Sequence, residues 1–595
     1  MSGRRARGQA ATLRRSTLVC LLAAGGVAGA IAQTAPFPGD VPPGGAQPGA
    51  PVSPGAPPPA GMAPLPPTAA QPSVGSLPEG PADAARRRGV FERSVDAPYE
   101  ALSANNRLIA PTAPRNFGIE GVIDARATAT DRGRLDQPSG KDLVLAVSPR
   151  LSVFSRGAQL RVNAMVGVDQ VNYTKNTNDD FTQPLAALDL QSEVVQNLVY
   201  FDASGSYDRR AATPFTAQGG ELPADEEVKT GVVRLAPRLE HRSFSGWTAF
   251  VRSDNIWTDR SGTGLNIGGV YDDSYSQNTQ FRLDKEPQRV GFGIEGGHES
   301  LNYDSADEDV IRIDNVRLSA GLAVTPQFTG WLLAGRERSR FSGETENDAD
   351  YGVRLRWSIL ERSVLAAEVR KRFFGTGYNL QWDHRHRNYG FTLSGSREPL
   401  TEPDTVQLGG NVAQQFDAIY QSRGYTPAQR DALVRAALIA YGLPPNLTDP
   451  VSLRVNRPQL STTYNGLVSL MGRRTVVVLS AYYRKLVALG HSDDPVLASV
   501  PGDTRQIGGQ LSFNLLLSPL STLDAYYRID DARGLGFDLG RNSRDQVVSV
   551  GTTHSLSPKL RVNLSLQHHQ LDTSDPLVST TGSANSATLG LTYRF

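Results

Sequence analysis

Arginine is the residue whose placement in this chain most invites chemistry. Arg317, Arg336, Arg338, Arg340, Arg354, Arg356, Arg370, Arg372 and Arg385 recur largely at alternate positions, as in Arg336-x-Arg338-x-Arg340 and Arg354-x-Arg356. Alternate residues of a strand share one face, so each run sets guanidiniums along one side of a wall. A wall of that kind draws in anions and focuses their approach. Acids such as Glu368 and Asp383 lie close enough in sequence to neutralise it. Tyr526, in Tyr526-x-Arg528-x-Asp530, shares the polar parity and would add a stacking surface.

Other motifs carry less chemistry. Gly291-x-Gly293-x-x-Gly296 matches the dinucleotide pattern. It sits within a strand-like stretch with no helix after it, so it lacks the context that cradles a pyrophosphate. His384 with His386, and His568 with His569, have no third ligand nearby, so lumen or turn lining is expected rather than a metal site. Asp304, Asp307, Glu308 and Asp309 read as a solvated acidic loop. No nucleophile elbow or local triad signature occurs, so no catalytic residue and no cofactor are expected. A net charge of +1 gives no case for a nucleic-acid partner.

The elements that must hold these side chains are strands. From about Asn116 to Phe595, segments of roughly 10–16 residues alternate apolar and polar, the period of a strand with one greasy face. Counted back from Phe595, long connections at Asp572–Ser583, Asp531–Asp545 and His491–Asp503 alternate with short ones at Ser557-Pro558-Lys559, Ser518-Pro519 and Gly472-Arg473. Earlier short turns recur at Glu361-Arg362, Pro326, Glu286-Pro287, Ser243, Gln196-Asn197 and Arg156-Gly157, with longer loops expected between them. Alternating short and long connections mark an all-β transmembrane antiparallel β-barrel, here of about 18–22 strands with both termini periplasmic. Arginine on a lipid face near the midplane costs about 2–4 kcal/mol, so the arginine runs are expected to face a wet lumen. Trp331, Trp357, Trp382, Tyr593 and Phe595 are then expected outward, in interfacial girdles.

The ends of the chain add two signals. Arg4, Arg5, Arg7, Arg14 and Arg15 precede an apolar run over Thr17–Ala32, and Ala30-Ile31-Ala32 fits cleavage before Gln33. Residues 1–32 therefore read as a signal peptide. The single cysteine, Cys20, falls inside it, so the exported chain is expected to hold no disulfide. Residues 33–115, rich in Pro, Ala and Gly, read as a disordered periplasmic leader acting as spacer or tether. At the other end, Leu589, Leu591, Tyr593 and Phe595 share one face. An alternating apolar strand ending in Phe resembles the signal that outer-membrane barrels present to the barrel-assembly machinery.

Residues 400–450 break the strand pattern and form one helical loop insertion. Thr426-Pro427-Ala428-Gln429 reads as a capped helix start, followed by a stripe of Leu433, Ala437 and Tyr441. The connection count puts the insertion on the external side. It is either a gate that narrows the pore or a surface helix on the rim.

Val147-Ser148-Pro149-Arg150-Leu151 through Tyr173, followed by Val199-Tyr200-Phe201-Asp202-Ala203-Ser204-Gly205, resembles the beta-barrel porin 2 family over roughly Asn116–Phe595. The resemblance implies an outer-membrane exit barrel for an extracellular polysaccharide, non-enzymatic and working with a periplasmic polysaccharide export protein. Outer-membrane lipid and lipopolysaccharide would be its other partners. A general diffusion porin and a structural or adhesive surface barrel are the competing readings.

Overall fold

The computed structural model describes residues 117–595 apart from the loop segments 136–139, 158, 178, 212–214, 216–226, 244–245, 263–272, 305–310, 342–343, 402–411, 426–429, 431–432, 435–436, 439–457, 490–502, 537–538 and 575–578. Ala30, Ala32 and Gln33, read above as a signal cleavage site, and the segment read as a leader lie outside the described residues.

The described chain is a sheet of 22 antiparallel strands closed on itself. The strands relevant below are β1 (Phe117–Thr130), β8 (Ser274–Lys285), β9 (Val290–Tyr303), β10 (Ile311–Thr325), β11 (Phe328–Phe341), β12 (Glu344–Leu360), β13 (Ser363–Arg372), β14 (Gly375–Arg385), β15 (Tyr389–Pro399), β16 (Gln459–Met471), β17 (Thr475–Ala488), β18 (Thr504–Ser518), β19 (Ser521–Gly534), β20 (Asn542–Ser555), β21 (Leu560–Ser574) and β22 (Ser579–Arg594). Each pairs with its neighbour in sequence, and β1 pairs with β22 from Val122↔Arg594 to Thr130↔Ser586. The seam ends on reciprocal bonds between Gly121 and Phe595, N to O 3.2 Å and 3.0 Å. A Cβ at Gly121 would lie 2.3 Å from the exposed Phe595 ring, so any larger residue there must displace that ring. An even strand number brings both ends of the barrel chain to the short-turn rim.

Nine short turns fall where the sequence puts them, and a tenth, at 386–388, joins β14 to β15. At the opposite rim two connections are far shorter than expected, with only residues 342–343 joining β11 to β12 and 373–374 joining β13 to β14. The rim is therefore uneven, and the wall is lowest along β13, which has 10 residues.

Two faces alternate along every strand. In β22, Leu589, Leu591, Tyr593 and Phe595 are exposed outward, while Thr592 of the opposite parity is buried. In β10 the outward column Val316, Leu318, Leu322 and Val324 is exposed, and Arg317 and Ser319 point inward. An exposed apolar exterior around a polar interior is the surface of a barrel that crosses a membrane, where closure leaves no backbone edge in the lipid. Trp357 packs edge-on against Phe328 on the outer face, and Trp382 packs edge-on against Phe391 beside His384. Trp331 departs from the expectation: it shares the inward parity of Leu333 and Glu337 and lies over lumenal Gly321.

Candidate functional site: the lumen and its folded-in insertion

The lumen wall is built from alternate residues of neighbouring strands, and across β9–β13 a set of its charges is paired. Arg317 Nε meets Glu295 at 3.1 Å and its Nη1 meets Asp350 at 3.3 Å. Arg354 bridges Glu295 at 2.9 Å and Glu368 at 2.6 Å. Arg370 bridges Asp350 at 3.0 Å and Glu368 at 2.6 Å, and Arg372 holds Glu337 at 2.5 Å. Four guanidiniums thus share four carboxylates across β9–β13. The expected basic track is neutralised there, because burying these charges without partners would cost several kcal/mol each. Arg356 and Arg385 also keep the lumenal parity.

Arg336, Arg338 and Arg340 do not belong to the lumen. In β11 the inward residues are Leu333, Glu337, Ser339 and Phe341, all buried, and the three arginines share the outward parity of Leu332. They stand at the long-loop end, above the apolar column. The lipid penalty that argued for an inward position applies at the midplane and fades toward the interface.

A second lumenal network joins β17–β21. Arg528 is held by Asp530 and Asp545, each at 2.9 Å, and His569 reaches Asp545 at 2.6 Å. Tyr526 points inward and donates to Gln510 Oε1 at 3.0 Å. His568 is of the opposite parity, so the adjacent histidines face opposite sides. His384 stacks outward on Tyr389 and Phe391, and His386 on Tyr389, so this pair belongs to the aromatic exterior and not to the lumen. The three glycines of the dinucleotide pattern are strand residues of β9. Of the acidic loop, Asp304 is a turn residue, and Asp307, Glu308 and Asp309 lie outside the described residues.

The insertion between β15 and β16 is the most consequential element. It leaves and returns at the long-loop rim, where Leu400 N bonds Gln459 O at 2.8 Å. Its helix α1 (Val412–Ser422), which the sequence reading missed, does not rest on that rim. Val412, Phe416, Ile419 and Tyr420 pack against Leu467 and Met471 of β16 and Val476 and Val478 of β17. These positions are inward, and they sit at the short-turn ends of their strands. At about 3.3 Å per residue, Met471 is some 40 Å along β16 from the rim where the insertion begins. Helix α1 is therefore seated on the inner wall of the lumen, at the end far from that rim.

Polar contacts fix that seat. Gln415 Nε2 donates to Thr392 Oγ1 at 2.6 Å, Arg385 Nη1 to Gln421 Oε1 at 2.5 Å, and Arg423 Nε to the Arg387 carbonyl at 2.6 Å. Gly390 lets the helix approach, since a Cβ there would lie 2.6 Å from Gln415 Oε1. The chain turns at Gly424 with φ +88°. Helical residues Leu433, Val434 and Ala437 then pack into the same cluster, and Arg430 pairs with Asp417 at 2.8 Å. The predicted stripe is thus realised at Leu433 and Ala437, inside the barrel and not on its outer rim. Thr426 and Tyr441 lie outside the described residues.

The same insertion draws in the long-loop mouth. Thr401 accepts a hydrogen bond from Ser276 of β8 at 2.7 Å and donates to Glu299 of β9 at 3.1 Å. A circular barrel of this strand number, with strands about 4.8 Å apart and tilted about 40°, would hold β8 and β15 about 35 Å from each other. The mouth is therefore pinched. Leu301, Tyr303, Ile311, Ile313 and Phe341 form an apolar cluster there with Leu460 and Leu489.

No family model and no curated protein match the chain. Among solved structures it is similar to the siderophore receptor PirA from Pseudomonas aeruginosa, with 10% identity and a TM-score of 0.38 over 81% of each chain. It is similar to the FrpB iron transporter from Neisseria meningitidis (F5-1 variant, apoprotein form), with 10% identity and a TM-score of 0.42 over 83% of each chain. It is also similar to the ferripyoverdine receptor of the outer membrane of Pseudomonas aeruginosa, with 10% identity and a TM-score of 0.40 over 81% of this chain and 72% of that one.

Proposed function

We propose that this chain is an outer-membrane transport barrel held shut at rest by its own β15–β16 insertion, and that its cargo is an extracellular polysaccharide. The observation that carries the gated reading is the seat of α1: an apolar helix face covers an apolar patch on the inner wall, about a full strand length from its tethers. A permanently open diffusion pore has no use for such a patch, which would face water if α1 left. The cargo reading rests on the lining. With Arg317, Arg354, Arg370 and Arg372 neutralised, β18 offers Gln506, Gln510, Ser512 and Asn514, and β19 adds Tyr526. Amides, hydroxyls and an aromatic ring suit a hydroxyl-rich polymer better than a fixed ion. The resemblance in strand texture to exopolysaccharide-associated barrels points the same way. The pairing of these four arginines also weakens the case for an acidic polymer.

The test is deletion of the gene with measurement of polysaccharide outside the cells and in the periplasm. Loss outside with accumulation or arrested synthesis inside is expected. Unchanged secretion would refute the cargo reading, and a steady, ungated conductance of the purified barrel would refute the gate.

A further inference from the structure

The arginines that left the lumen form a surface of their own. Arg336, Arg338 and Arg340 on β11 and Arg312 on β10 share the outward face, with Arg338 paired to Asp314 and Arg340 to Arg312 in the β-ladder. Arg312 and Asp314 are joined at 3.3 Å, with side chains 49% and 43% exposed. Asp314 is also held by His298 at 2.6 Å. Among the described residues, four guanidiniums thus share this outward face with one carboxylate, which Arg312 and His298 hold.

Their height relative to the apolar belt decides what they meet. On β10 the outward column is apolar from Val324 up to Val316 and then turns to Asp314 and Arg312. On β11 it runs Phe328, Gly330, Leu332, Ala334 and then the three arginines. The span from Val324 to Val316 is about 27 Å along the strand, or about 20 Å of height at a 40° tilt, close to the usual lipid belt of such barrels. The Phe328–Trp357 pair marks the short-turn edge of this belt. Tyr351, exposed and in register with Ala334, marks the other edge, directly beneath Arg336. The arginines therefore sit at headgroup level on the long-loop side.

We infer that the outward faces of β10 and β11 form a binding site for the phosphate groups of an outer-leaflet glycolipid. Planar guanidiniums take phosphate oxygens bidentately. The acyl chains of the same lipid would lie along Leu318, Leu322 and Leu332 directly below. This inference rests on the outer-membrane reading, since it needs the long-loop rim to face the outer leaflet.

The experiment uses the full chain in detergent and two variants, R336Q/R338Q/R340Q on the outside and R370Q in the lumen. Native mass spectrometry would score binding of diphosphorylated lipid A, dephosphorylated lipid A and inorganic phosphate. Retention of diphosphorylated lipid A by the parent and by R370Q, with at least a tenfold loss in the triple variant, is expected. Equal retention by the triple variant, equal binding of dephosphorylated lipid, or binding of inorganic phosphate alone would overturn the site while leaving the barrel reading intact. Recovery of the chain outside the outer-membrane fraction would overturn both. Heat-modifiable gel migration confirms that each variant is a folded barrel.

Discussion

Phe416→Ala tests the gate most directly. Phe416 is fully buried between α1 and the inner wall, among Val476, Val478 and Met471. Its burial is lost only when the helix leaves the wall, so the substitution weakens the seated state and not the strand ladder. Removing a fully buried Phe costs about 3–5 kcal/mol. With about 1.4 kcal/mol per tenfold, the balance between seated and unseated helix moves by roughly two to three and a half powers of ten. The assay is open probability of the purified full chain in planar bilayers. The parent chain is expected to stay closed with rare openings, and Phe416→Ala to raise open probability about a hundredfold or to saturation. Phe416→Leu, which keeps most of the volume, should restore most of the closure. A Phe416→Ala barrel that folds normally and stays as tightly closed as the parent would refute the reasoning, because the seat would then not be what closes the pore.

Three other perturbations test the wall. Glu337→Gln leaves Arg372 buried without its carboxylate and should cost about 3–5 kcal/mol, read as a lower temperature for loss of the folded gel form; an unchanged temperature would show that the pair is dispensable. Gly121→Leu displaces the Phe595 ring from the seam and should lower the folded fraction after refolding into detergent, whereas normal yield would mean that the ring swings aside freely. Asp131, in the loop after β1, accepts bonds from the Asn585 backbone N–H at 2.8 Å and its side-chain amide at 2.7 Å, and these hold its carboxyl below the usual value. A carboxyl depressed in the folded state contributes stability above its unfolded pKa, near 3.9, and loses it as pH falls through the folded value. Asp131→Asn should therefore lower stability slightly at neutral pH, by under about 1 kcal/mol for so exposed a group, and the difference from the parent should vanish in acid; a difference that persists at pH 2 would argue against this origin.

The barrel was legible because strand period and turn chemistry are local properties. Val353-Arg354-Leu355-Arg356-Trp357 declares two faces without help from the rest of the chain. Which face turns inward is not local once a strand rises past the lipid. In β11 the outward column changes from Leu332 and Ala334 to Arg336, so a rule about charge at the midplane misassigned its upper half, and Trp331 with it. The insertion was visible as a break in pattern, but its descent into the lumen depends on a partner far away in sequence. One signal was present: Val476-Val477-Val478-Leu479 is apolar on both faces, the composition of a strand covered on both sides. The stripe Val412, Phe416, Ile419 and Tyr420 likewise has the spacing of a one-faced helix. Read together, those two segments would have paired the helix with the inner wall. The ion pairs of the lining were only half legible, since Glu295 of β9 meets Arg354 of β12 across two intervening strands, which the sequence does not bring together.

The position of the insertion in the chain bears on how the barrel can be made. Both of its stems are anchored at the pinched mouth, while α1 rests about a strand length below, so entry through a finished mouth would mean forcing a folded helical segment past the Thr401 clasp. The β1–β22 seam is the one wall joint between strands distant in sequence, and it is complete only when Phe595 is in place. Closing that seam last would let the wall wrap around a helix already seated on β16 and β17. The gate would then be packaged during assembly and not threaded after it, and barrel closure and gate placement would be a single event.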